Sequence, residues 1–132
     1  MKGIDTNILI RFLIGDDEQQ AKKVYNIFKK AESEKNELVV PLLVIFELIW
    51  VLESVYEIPR TEILDSISEL ILMPILKFEH PSTLQQFTHA AQGNRYDLSD
   101  LLIAHSAKAQ GCETVITFDK KISQFNLFEL AK

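Results

Sequence analysis

"YDLSDLLIAHSAKAQGCETVITFDKK", Tyr96 to Lys121, places carboxylates where its apolar runs begin and end. From Asp97 to Gln110 the apolar residues are dense enough for a helix, and Gly111 follows as a C-terminal stop. "TVITF", residues 114–118, is β-branched and aromatic and reads as a strand. Asp97 and Asp100 therefore stand at a helix start, and Asp119 at a strand end.

The same alternation runs outward through the chain. "GID" (3–5) reads as a short buried strand, and "TNILIRFLIG" (6–15) as a short helical or irregular segment ending at Gly15. "DEQQAKKVYNIFKKAES" (17–33) carries Ala21, Val24, Ile27, Phe28 and Ala31 at helical spacing, with Asp16 and Asp17 as cap candidates. "ELVVP" (37–41) is a strand, and "LLVIFELIWVLESVYEI" (42–58) is too long for one and reads as a buried helix. "RTEILDSISELILM" (60–73) is a helix with Thr61 as its expected N-cap. "PILKF" (74–78) is a strand. "HPSTLQQFTHAAQ" (80–92) is a helix opened by Ser82 or Thr83, and "NLFEL" (126–130) a last edge strand. Strands alternating with helices predict an α/β fold, a mostly parallel sheet between helical layers, in one domain over residues 1–132. In such sheets ligands sit beyond the carboxyl ends of the strands.

Composition bounds the function. Of 132 residues, 47% are hydrophobic and 25% charged, the mix of a soluble globular domain. A net charge of -5 argues against wholesale attachment to nucleic acid or membrane and leaves room for local basic patches. The single cysteine, Cys112, permits no internal disulfide, and the apolar run in "MKGIDTNILI" is too short for a signal peptide. The chain is expected to be cytoplasmic.

The acids carry the chemistry. Asp5 ends the first strand and Asp119 a late one; each reads equally as a cap or turn residue. Asp97 and Asp100 are three apart, so they share a helix face, and Asp97 is as much a cap as a ligand. Glu47 is the only ionisable residue between Leu38 and Leu52. A carboxylate amid such apolar surface is expected to face a cleft holding positive charge, in preference to pairing with a buried base such as Arg11. Four acids, Asp5, Glu47, Asp100 and Asp119, converging at one sheet end would need a cation or protonation. The histidines (His80, His89, His105) and Cys112 lack zinc spacing, and His89 and His105 are expected on helix surfaces. Oxygen-only ligands select Mg²⁺ or Mn²⁺, an ion that activates water for phosphodiester hydrolysis.

"DTNILIRFL", the glutamate within "FELIWVLESVY" and "YDLSDLLIAHSAKAQGCETVITFDKK" together resemble a PIN domain of the VapC toxin type, over nearly the whole chain. The resemblance implies an α/β/α sandwich, a Mg²⁺-dependent endoribonuclease leaving 5′-phosphate and 3′-hydroxyl ends, a VapB-like antitoxin and a homodimer. It assigns catalytic roles to Asp5, Glu47, Asp100 and Asp119, with metal held by Asp5, Asp100 and Asp119. Asp97 matches an acid present in a subset of the family. Thr6, Asn7 and Thr117 occupy polar positions around the acids, as supporting residues. Arg11, Arg95, Lys120 and Lys121 are the near-motif candidates for RNA contact. An antitoxin groove is expected along "FELIWVLESVY" and "AKKVYNIFKK", with Trp50, Tyr56 and Tyr25 in its wall, although those aromatics serve a core or dimer surface equally well.

Other readings fit less of the pattern. A haloacid-dehalogenase-like phosphatase needs an acid two residues after the first, where this chain has Asn7. A receiver-like regulatory domain needs an adjacent acidic pair on the first strand and a lysine ending a late one. A catalytically inactive PIN-like module binding RNA or protein stays open, with the intact acids against it.

Overall fold

Short parallel strands and longer helices do alternate along the chain, and the computed structural model describes all of it, residues 1–132. The chain divides into two compact units, Met1–Glu79 and His80–Lys132. No helix is long and apolar enough to cross a membrane.

The first unit runs β1 (Lys2–Gly3), α1 (Thr6–Leu13), α2 (Glu18–Glu34), β2 (Leu38–Val40), α3 (Leu42–Ser54), α4 (Arg60–Ile71) and β3 (Leu76–Phe78). Its strands pair in parallel in the order β1-β2-β3, with Lys2 opposite Leu38 and Val40 opposite Phe78. Leu9, Ile10, Ile45, Leu48, Ile49, Leu52, Ile63 and Ile67 are buried, the apolar stripes of α1, α3 and α4. The cap at Asp17 is as expected: its side chain accepts the Gln20 N–H at 3.0 Å. Helix α3 follows Pro41 and has no cap of its own. Glu79, just past β3, supplies the missing acceptor, its Oε1 taking the Leu42 N–H at 2.8 Å.

Thr61 does not cap α4. The helix starts one residue earlier, at Arg60, because Pro59 fixes an extended entry and its carbonyl accepts the Ile63 N–H at 3.1 Å.

The second unit holds α5 (Pro81–Ala91), α6 (Leu98–Ala109), β4 (Val115–Thr117), a 3-10 turn (Ile122–Gln124) and β5 (Phe128–Leu130). β4 and β5 pair in parallel, Val115 with Phe128 and Thr117 with Leu130. Neither Ser82 nor Thr83 caps α5. Pro81 takes the first helical position, where no N–H is required, and His80 precedes it in the left-handed region at φ 54°. Gly111 closes α6 at φ 97°, and the Cys112 N–H reaches back to the Ala107 carbonyl at 3.1 Å, so the predicted stop is a Schellman turn. Ala104, Ile122 and Phe128 form a small core packed by Tyr96, Val115, Phe125 and Leu127. His89 is on the surface, but His105 is not: it is 6% exposed and meets the Phe87 ring edge-on at 6.4 Å. It lies on the side of α6 that packs on α5, so a polar residue that sequence alone would turn outward is carried into that contact.

Candidate active site

The start of α6 and the turn after β4 carry three aspartates. Leu98, Leu101, Leu102 and Ala104 anchor α6 by its apolar side, while Ile122 and Phe128 anchor the segment around β4. The acids are left at the ends of these anchored runs. Asp97 is the N-cap of α6, its Oδ2 accepting the Asp100 N–H at 3.0 Å. Asp119 ends the strand segment in a tight turn: its Oδ1 accepts the N–H groups of Lys121 at 2.9 Å and Ile122 at 3.2 Å. Its own N–H donates to Thr117 Oγ1 at 3.0 Å. Thr117 thus fixes the backbone from which the Asp119 carboxylate projects.

Asp100 is the group under electrostatic load. It is half-buried in the first turn of α6, and its pKa lies above the ordinary aspartate value. Burial is the main cause, followed by the negative charges of Asp97 and Asp119. No arginine or lysine counters them there. The caps use Oδ2 of Asp97 and Oδ1 of Asp119, which leaves one oxygen of each for another partner. This donor set is all oxygen and suits a hard divalent cation. No three His, Cys, Asp or Glu side chains stand together as a preformed cage. An ion here would be held by one or two carboxylates with water completing its shell, which is the habit of Mg²⁺.

In the first unit Asp5 is the N-cap of α1, its Oδ1 3.4 Å from the Ile8 nitrogen. Thr6 is buried beside it and Asn7 is exposed. Glu47 corrects the sequence reading. It lies on the exposed side of α3 with Leu43 and Trp50, so it bears no burial cost and needs no buried partner. Arg11 is not its counter-ion. The guanidinium donates to Asp16 Oδ1 at 2.9 Å, to Tyr56 Oη at 3.4 Å and to Gln20. Tyr56 in turn donates to Asp16 Oδ2 at 3.1 Å. Tyr56 is therefore drawn into this network, while Trp50 and Tyr25 stay exposed.

The structure sets Asp97 and Asp119 close enough to Asp100 for their charges to raise its pKa, without gathering the three as a ready metal-binding group, and within the same unit leaves Arg95, Lys120 and Lys121 on the surface. Sequence reasoning missed Phe118. "TVITF" placed it inside an apolar strand, but β4 stops at Thr117 and Phe118 is 89% exposed. The available signal was its place directly before a turn-forming acid.

The sequence profile of the PIN domain matches residues 3–126, running through both units. A curated relative, the VapC ribonuclease of Aquifex aeolicus (strain VF5), is 24% identical over 124 residues, covering 94% of this chain and 91% of that protein.

Proposed function

This chain belongs to the PIN-domain family, and from that premise we propose that it is a metal-dependent endoribonuclease of the VapC toxin type, acting as one domain over residues 1–132. The observation that carries the reading is Asp100 in the first turn of α6, half-buried with no base beside it and repelled by Asp97 and by Asp119 in the turn after β4. The family match extends over Asp5 and Glu47 as well, which supports a four-acid site of Asp5, Glu47, Asp100 and Asp119.

In this reading Asp5, Asp100 and Asp119 hold the cation, and Glu47 orients water. Mg²⁺ or Mn²⁺, when bound, supplies Lewis-acid polarisation of a phosphoryl oxygen and a more acidic water. Asp97, Thr6, Asn7 and Thr117 position the ligands through backbone caps and hydrogen bonds. Arg95, Lys120 and Lys121 draw the phosphate backbone toward an otherwise acidic surface. Arg11, already engaged by Asp16 and Tyr56, has no role in that path. Uncontrolled cleavage of cellular RNA would harm the host, so a VapB-like antitoxin is the expected partner. Its inhibitory segment would carry an arginine or lysine to pair with the acids and an amphipathic helix for an apolar surface such as that around Trp50 and Tyr25. The protein acts in the cytoplasm, as a homodimer.

The decisive experiment incubates the purified chain with total cellular RNA in Mg²⁺, with and without excess EDTA, alongside Asp100→Asn. Expected are fragments with 5′-phosphate ends from the native chain alone, and none with chelator or variant. Cleavage that survives EDTA and leaves 2′,3′-cyclic ends would assign the chain to metal-free chemistry.

A further inference from the structure

The turn that carries Asp119 also holds an aromatic ring that neither packing nor the proposed chemistry uses. Phe118 is 89% exposed, although a phenylalanine gains most by burial. Its backbone is fixed on both sides. Thr117 Oγ1 accepts the Asp119 N–H, and Asp119 Oδ1 accepts those of Lys121 and Ile122. Ile116, two residues back in β4, is 68% exposed. Its registered partner on β5 is Glu129, an exposed carboxylate on that face. Lys120 and Lys121, both exposed, follow immediately. Within a few residues of the exposed ring the chain thus carries two exposed ammonium groups after it, and an exposed carboxylate in register with Ile116 before it.

We infer that Phe118 is a stacking platform for an unpaired nucleobase of single-stranded RNA next to the phosphate being cut. This rests on the ribonuclease reading above. Every base presents a π face, so a ring binds it without regard to sequence, and the lysines take the adjoining phosphates. The Glu129 carboxylate repels phosphates from the Ile116 end and keeps the strand at the Phe118 end. A duplex holds its bases within its own stack, so the platform selects single strands. The paired lysines give the patch the positive charge that a phosphate backbone requires.

The test uses Asp100→Asn, which holds RNA without cutting it, and a fluorescein-labelled single-stranded oligoribonucleotide of mixed sequence. Adding Phe118→Ala or Phe118→Leu weakens binding about tenfold by anisotropy. Phe118→Trp retains binding, and with Trp50→Phe in the same chain its indole emission is quenched by the oligonucleotide. In the active chain, Phe118→Leu raises KM and leaves kcat in place. Leucine keeps the apolar bulk, so binding by Phe118→Leu equal to that of the native ring overturns the stacking role. So does a changed oligomeric state of Phe118→Ala in light scattering with RNA affinity unmoved, which would give the ring to a protein contact. Cleavage by the native chain in Mg²⁺ reports on the nuclease reading separately: ring-dependent binding without cleavage removes the nuclease and keeps the platform.

Discussion

Two polar clusters in this chain are built from similar residues and resolved in opposite ways. At the junction of α1 and α2, Arg11, Asp16, Tyr56 and Gln20 satisfy one another, with a donor for each acceptor and a guanidinium beside the carboxylate. At the start of α6, Asp100 faces Asp97 and Asp119 with no cation in the protein to oppose them. The first cluster is complete by itself and ties α1, α2 and the turn after α3 together. The second is incomplete by itself, and incompleteness of that kind marks a place where something else binds.

The sharpest way to break this contrast is Asp100→Asn. Supporting residues around a metal site are worth about 10–100-fold, so a ligand should cost at least about 100-fold in RNA cleavage. The same change should raise the melting temperature by a few degrees. Asp100 holds its proton more tightly folded than unfolded, so its contribution is present below the ordinary aspartate pKa and lost as pH rises through the raised one. At neutral pH its charge therefore opposes folding, and asparagine removes that opposition. An inactive variant that melts lower than the native chain would mean that Asp100 is a structural acid.

Tyr56→Phe probes the completed cluster. It deletes the hydroxyl that bridges Arg11 and Asp16 and should lower the melting temperature by a few degrees, with RNA cleavage per folded molecule unchanged. Lost cleavage at full stability would move this cluster from scaffold to site.

The smallest effect belongs to His105. Both ring nitrogens are buried without a hydrogen bond, and burial, then Lys108, lowers its pKa. A lowered histidine pKa penalises the fold in acid. The stability it allows is present above the ordinary value of about 6.5 and lost as pH falls through the depressed one. His105→Leu should leave the neutral-pH melting temperature within a degree or two and flatten its decline between mildly acidic and neutral pH. An unchanged slope would show that the ring is solvated in the native state.

The alternation of strands and helices was legible because its causes are local: apolar period, β-branched runs, Gly111 at a helix stop. Helix starts were less so. Thr61, Ser82 and Thr83 look like caps, but Pro59 and Pro81 set the entry geometry one or two residues earlier, and α3 takes its acceptor from Glu79, 37 residues away. That Asp97, Asp100 and Asp119 stand where apolar runs begin and end was readable, since a cap or turn acid is a local signal. The burial of Glu47 was misread because a nearly unbroken apolar sequence hides which side of α3 faces out: Leu43 and Trp50 are exposed there too. His105 failed in the opposite sense, a polar residue on the side of α6 that is buried against α5.

The caps at Asp5, Asp97 and Asp119 also bear on genetics. In each, one carboxylate oxygen already receives backbone N–H groups at a helix start or turn. An alanine allele at any of them removes a local fold constraint together with a candidate ligand, so a silent phenotype from it has two indistinguishable origins. Asparagine keeps an acceptor oxygen for the cap and discards only the charge. Loss-of-function screens on this chain should therefore be scored on carboxamide alleles, with the alanine alleles serving as a measure of how much local order each cap maintains.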